Sequence, residues 1–289
     1  MSAKDAPPPL PEPLGVPVAD SHTHLDMQSG TVDEALAKAA AVGVETVVQV
    51  GCDLKGSRWA AETAAAHANV HAAVALHPNE APRIVLGDAD AWSRQGAREA
   101  GGDPALDDAL AEIDRLAALP QVRAVGETGL DYFRTGPEGT AAQERSFRAH
   151  IEMAKRHGKA LVIHDREAHA DVLRILAEEG APERTVFHCY SGDAEMARTC
   201  AQAGYFMSFA GNVTFKNAQP LRDALAVAPL DLVLVETDAP FLTPAPYRGR
   251  PNAPYLIPLT VRAMAEVRGV DEEAMATAIA VNTARAFDY

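Results

Sequence analysis

The stretch VETVVQVGCDLKGSRWAAETAAAHANVHAAVALH (44–77) decides the fold. Its opening VETVVQV (44–50) is a short β-branched apolar run and predicts a strand. SRWAAETAAAHA (57–68) has helical periodicity, and HAAVALH (71–77) is a second apolar run. A strand, a covering helix and a second strand, with the strands apolar almost throughout, form the repeating unit of a parallel sheet buried on both faces.

The same alternation continues in both directions. VPVADS (16–21) precedes it; VRAVGE (122–127), ALVIH (160–164), TVFHC (185–189), GYFMSF (204–209) and DLVLVETD (231–238) follow, making eight strands. Between them lie helical segments such as ALDDALAEIDRLAAL and AQERSFRAHIEMAKRHG, several ending on Gly as helix C-termini prefer. Eight is the number at which such a sheet closes, so the expected fold class is α/β, a single-domain TIM (β/α)8 barrel over residues 18–289. An open doubly wound sheet is the alternative. Residues 1–17 hold six prolines and are expected as a weakly ordered N-terminal tail outside the fold. Residues 87–106, rich in Gly, Ala and charge without periodicity, read as an inserted surface loop.

The 289 residues are 47% hydrophobic and 23% charged, enough to bury a large core and unlike a disordered or fibrous chain. The first residues lack an apolar signal region and no stretch reaches membrane-span length, so a soluble, cytoplasmic protein is expected. Three cysteines, Cys52, Cys189 and Cys200, cannot pair completely, and they read as buried thiols in a reducing interior. A net charge of −14 argues against holding long duplex nucleic acid through a broad basic face. It leaves phosphate substrates open, because two divalent cations would make a locally cationic site.

Residues with ligand chemistry recur at one place in this pattern. His22 and His24 end strand one, His77 strand three, Glu127 strand four, His164 strand five, His188 strand six and Asp238 strand eight. The C-terminal strand ends are where barrel active sites assemble. His22 and His24 stand two apart, on one side of a strand, and both imidazoles can reach one ion. With four further ligand types at equivalent ends, the set predicts a divalent metal pair held by His22, His24, Glu127, His164, His188 and Asp238. A carboxylate can serve two ions where an imidazole cannot, so Glu127 is assigned the bridge. One ion would take His22, His24, Glu127 and Asp238; the other, Glu127, His164 and His188, would keep open positions for catalysis. Nitrogen and oxygen ligands suit zinc, manganese or magnesium.

Six motifs, DSHTHLD (20–26), GETGLDYF (126–133), LVIHDREA (161–168), FHCYSG (187–192), ETDAPFLTPAPYRGRPN (236–252) and NTARAF (282–287), resemble those of the TatD family of metal-dependent deoxyribonucleases in the amidohydrolase superfamily. The resemblance runs from about Val18 to the end. It implies the same six ligands. It departs at Asn252-Ala253-Pro254, where the family usually shows Asn-Glu-Pro, and the segment between His77 and Glu127 is longer than is usual. Many amidohydrolases use a carboxylated lysine where Glu127 stands; no lysine lies nearby, which favours the TatD-like branch.

The expected reaction is hydrolysis of phosphodiesters at DNA ends or single strands by metal-acidified water, Asp238 accepting its proton. His77 is expected to hold the scissile phosphate or protonate the leaving oxygen. Arg166, Arg248 and Arg250 are candidates for phosphate contacts and Tyr132 for stacking on a base. Glu236 and Asp131 are expected behind the ligands, as hydrogen-bond partners. An ester or amide hydrolase of a small molecule or aminoacyl ester is the alternative activity, and a non-catalytic barrel the third reading. A monomer suffices for any of them. His67, His71, His150, His157 and His169 read as structural, and Met153, Met196 and Met264 as core.

Overall fold

A computed structural model describes residues 6–87 and 100–289. Among these residues eight strands form: β1 Val18–Thr23, β2 Val44–Gly51, β3 Val70–Val74, β4 Val122–Asp131, β5 Ala160–Arg166, β6 Thr185–Phe187, β7 Phe206–Phe209 and β8 Val233–Val235. They join one sheet in the order β1-β2-β3-β4-β5-β6-β7-β8. The registered pairs are parallel, and a parallel bridge between Thr23 and Ala239 joins β1 to the chain beyond β8. This is the (β/α)8 barrel topology that the alternation predicts.

The helices are α1 Val32–Ala40, α2 Leu54–Ala66, α3 Glu80–Leu86, α4 Gly102–Ala117, α5 Thr140–His157, α6 His169–Glu179, α7 Ala194–Gln202, α8 Gln219–Val227, α9 Ile257–Arg268 and α10 Glu272–Phe287. Their ends follow local chemistry. At α1 the Thr31 hydroxyl accepts from Glu34 N–H and the Glu34 carboxylate accepts from Thr31 N–H, a closed capping box. Residues 88–99 of the expected 87–106 loop lie outside the described residues. Gly102–Leu106 belong to α4 rather than to a loop, because the periodicity of the helix reaches back to Leu106, which is fully buried.

The chain packs as two compact units. One comprises residues up to Gln49, His67–His71 and Val186–Tyr289; the other comprises Val50–Ala66 and Ala72–Thr185. In the first, Val47, Val48, Val186, Phe187, Met207, Phe209 and Val233 form much of the buried strand surface. Residues 6–17, expected as a loose tail, form no helix or strand but are held in this unit. Arg250 donates to the carbonyls of Ala6 and Pro7 at 2.9 and 2.8 Å, the Tyr255 hydroxyl to Pro8 at 2.7 Å, and Arg262 to Glu12 at 2.9 Å. Leu14 is buried and its N–H reaches Val42 O. Among the described residues no helix is long and apolar enough to cross a membrane.

In the second unit β4 and β5 pair over most of their length, and Gly126 and Gly129 of β4 explain why they can lie so close. A Cβ on Gly126 would fall 2.4 Å from the Cβ of Val162, and one on Gly129 2.1 Å from His164 O. His150 of α5 is fully buried here; Nε2 accepts from Leu76 N–H at 3.2 Å while Nδ1 donates to Ser146 O at 2.6 Å. A proton on Nε2 would face a donor, and burial pushes this imidazole down to about 4. Because the folded value lies below the unfolded one of about 6.5, the unfolded chain takes up the proton first, and stability falls as pH drops from about 6.5 to 4. Chemical denaturation at pH 7 and pH 4 is expected to show parent protein losing up to about 3 kcal/mol more than a His150→Gln variant over this span. Equal losses would refute the assignment.

Candidate metal centre

Among the described residues, each unit brings several of the ligand types together. In the first, main-chain bonds from Asp238 N to His22 O and from His24 N to Ala239 O, each 2.9 Å, lay the end of β1 beside the loop after β8. The strand ends earlier than DLVLVETD suggests, at Val235, so Asp238 lies three residues beyond it with φ at +51°. Asp tolerates this left-handed conformation better than most residues. Asn252 holds the turn: its amide donates to Thr237 O at 2.9 Å and to Phe241 O at 2.5 Å, on either side of Asp238.

Three donor atoms converge as a result. His22 Nε2 and His24 Nε2 are 3.3 Å apart, and Asp238 Oδ1 is 3.5 Å from His24 Nε2 and 4.0 Å from His22 Nε2. Ligands about 2.0–2.1 Å from a tetrahedral ion would be about 3.3–3.4 Å from one another, so the spacing suits a common cation. Both imidazoles are buried, whereas the Asp238 side chain is 15% exposed. Burial pushes Asp238 up, but the His24 hydrogen bond and the charges of His188, His22 and His24 outweigh it and hold the carboxyl below its ordinary range.

Behind these donors, His188 stacks on His22 with ring centroids 3.9 Å apart and places Nδ1 3.2 Å from Glu236 Oε1. Glu236 Oε1 also accepts from Cys189 N–H at 2.8 Å; the opposite oxygen, Oε2, is buried with no hydrogen-bond partner. His22, His188 and Glu236 therefore offer a second set of converging donors whose unsatisfied carboxylate oxygen also suits a cation. Asp20, which sequence reading did not single out, accepts from His22 N–H and from the N–H and hydroxyl of Thr237, tying β1 to the Asp238 turn. Burial, against these hydrogen bonds and with the Glu236 charge adding to it, pushes Asp20 up to about 7.

In the second cluster Glu127 is the centre. It lies within β4, which runs four residues past the expected VRAVGE end. Its Oε1 is 2.9 Å from His164 Nδ1 and 3.1 Å from His77 Nε2, and the Cys52 thiol points to Oε2 at 3.8 Å. His77 lies three residues past the end of β3, so it belongs to a loop and not to a strand end. Its Nδ1 accepts from Asn79 N–H at 3.1 Å, which leaves the proton on Nε2, facing Glu127. Burial lowers the His77 pKa, with Glu127 opposing and His164 reinforcing the shift, and favours this neutral form. Asp131 Oδ2 reaches His164 Nε2 at 3.2 Å. Burial raises Asp131, but His164, Asn79 and the Arg134 N–H outweigh it and hold the carboxyl well below the usual range. His77, Asp131 and His164 present one atom each within 4.8 Å, a further set of the kind that binds divalent cations.

The remaining residues named from sequence have other partners. Tyr132 donates its hydroxyl to Asp171 at 2.9 Å, and the next ring, Phe133, is 56% exposed with the Arg166 guanidinium 3.8 Å from its centroid. Arg248 lies over Phe215 at 4.3 Å. Arg250 is engaged with the N-terminal carbonyls rather than presented to a ligand.

A (β/α)8 fold with these imidazole and carboxylate clusters defines a metal-dependent hydrolase. The chain matches the family described as TatD related DNase over residues 19–288 and belongs to the TatD family. It is 44% identical over 278 residues to the metal-dependent hydrolase TatD of Mycobacterium tuberculosis, covering 93% of this chain and 97% of that protein. It is 37% identical over 276 residues to the metal-dependent hydrolase YcfH of Escherichia coli, covering 93% and 95%. Among solved structures, YJJV, a TatD homologue from Escherichia coli, superposes with a TM-score of 0.80 at 26% identity, covering 94% of this chain and 98% of that one.

Proposed function

We propose that this protein is a divalent-metal-dependent deoxyribonuclease that trims DNA ends and single strands, working as a monomer in the cytoplasm. The observation that carries the substrate class is a pair of exposed aromatic rings, one facing His24 and one two residues past the end of β4. Phe133 follows β4 and bears Arg166; Phe241 follows Asp238, 47% exposed, with its centroid 6.3 Å from the His24 ring. Rings beside cation-binding donors suit unpaired bases attached to phosphates, and the net charge of −14 disfavours long duplex.

His22, His24, Glu127, His164, His188 and Asp238 are the proposed ligands of two ions. Such ions, zinc, manganese or magnesium, acidify water and offset charge on phosphate oxygens. The partly exposed Asp238 carboxylate accepts the proton of the attacking water. His77, neutral with its proton on Nε2, holds the scissile phosphate by hydrogen bonding, and Glu127 orients both His77 and His164.

Protein stripped of metal and reloaded with zinc, manganese or magnesium is expected to shorten a 3′-labelled single strand, with two ions bound per chain, and to leave unbroken duplex largely intact. Turnover of a p-nitrophenyl ester with no cleavage of the strand or of a p-nitrophenyl phosphodiester would overturn the nuclease reading.

A further inference from the structure

Asn79 sits in the loop after β3, 3% exposed, and no part of the proposed reaction uses it. Its amide Nδ2 donates to Asp131 Oδ2 at 3.0 Å, and its Oδ1 accepts from the Thr135 hydroxyl at 2.7 Å. The orientation of that amide is determined, because the Asp131 carboxylate can only accept. Asp131 is gripped a second time: its N–H donates to Gln143 Oε1 at 3.0 Å and Gln143 Nε2 donates to its carbonyl at 3.2 Å. Asp131 Oδ2 in turn meets His164 Nε2 at 3.2 Å. The main-chain N–H of the same Asn79 is the donor to His77 Nδ1.

We propose that Asn79 is the positioning residue of the second cluster: its side chain orients Asp131 and through it His164, while its N–H sets the His77 proton on Nε2. Groups that hold a ligand's partner in place commonly govern affinity and activity by about 10- to 100-fold. Gln143 fixes the main chain of Asp131, while Asn79 holds Oδ2 of its carboxylate and the Arg134 N–H holds Oδ1 at 2.9 Å; Gln143 Nε2 also lies 3.5 Å from Asn79 Oδ1. The inference rests on the reading of His164 as a metal ligand.

The test uses the full chain, zinc(II) titrated against a chromophoric chelator, and imidazole 15N–1H long-range spectra of the metal-free protein. In the parent, His77 is expected to show an unprotonated Nδ1 and a protonated Nε2; the reverse pattern would overturn its half of the proposal. In an Asn79→Leu variant the weaker zinc affinity is expected to fall about 10- to 100-fold and the His164 ring signals to shift, while those of His150, buried elsewhere in the same unit, stay in place. Unchanged His150 signals together with unchanged His164 signals and zinc affinity within about twofold of the parent would refute the proposal. Should Asn79→Leu fail to fold, Thr135→Val decides: it removes only the hydroxyl that holds the Asn79 amide, and a loss of about threefold or more supports the idea where no change sinks it. A parent that took up no zinc would remove the metal reading, and the His164 and His77 signals would still judge this inference.

Discussion

An Asp238→Asn variant is expected to lose turnover on a single-stranded substrate by a factor on the order of 10²–10⁴, at saturating metal, while unfolding within a few degrees of the parent. The substitution is chosen for the backbone. Asp238 has φ at +51°, a conformation that Asn accepts readily but Ala adopts at a cost of about 1–2 kcal/mol, so an Ala variant would mix strain with chemistry. Asn keeps the volume and one oxygen, yet it carries no charge and accepts no proton. Weaker metal retention is expected alongside, because the Oδ1 that faces His24 at 3.5 Å would no longer be anionic. Parental kcat in the variant would remove Asp238 from the reaction.

The second large effect is structural. Gly129→Ala is expected to destabilise the protein by about 2–6 kcal/mol, from roughly 1–3 for the backbone conformation and 1–3 for overpacking. At φ of +140°, Gly129 is in a region closed to other residues, and an added Cβ would lie 2.1 Å from the His164 carbonyl oxygen. The obstacle is main chain of β5, paired in register with Gly129, and cannot rotate away. Each kcal/mol is about 2–4 °C for a chain approaching this size, so a fall in melting temperature of roughly 4–24 °C is expected by calorimetry. Gly158→Ala is the comparison: φ is +60° and nothing lies within 4 Å of an added Cβ, so only about 1–2 kcal/mol is expected. Equal effects of the two substitutions would show that the close approach of β4 to β5 is unimportant.

The same glycines explain what sequence reading reaches and where it stops. The eight strands are legible because each is a β-branched run between helical segments, and the six proposed ligands are legible because they punctuate those runs. The continuation of β4 through Asp131 is not, since GETGLD looks like a turn; its glycines answer the closeness of β5, a neighbour that lies 35 residues on at His164 in the register. Asp238 is read as a strand end although β8 stops at Val235, because the turn beyond it is made by Asn252, an uncharged residue with no local signature. Asn79, Gln143 and Asp20 escape notice for the same reason: their partners at Asp131 and Thr237 are separated from them by 52, 12 and 217 positions. Tyr132 was the natural choice for stacking, but Asp171 claims its hydroxyl and Phe133 takes the exposed position, a choice made by a helix that follows β5.

The docking of the proline-rich segment bears on the order in which contacts form. The groups that bind the carbonyls of residues 6–13, on Arg250, Tyr255 and Arg262, lie 243 to 250 residues further along the chain. Loops of that length cost entropy to close, so this proline-rich stretch is expected to dock after the shorter-range contacts have formed, its extended preference holding it open until then. When it does dock, it fastens the stretch of chain that also carries Asn252, the residue that shapes the Asp238 turn. The proline-rich segment thus becomes the clasp on a loop far along the chain, and the turn that carries Asp238 lies in a stretch fastened by contacts of very long sequence separation.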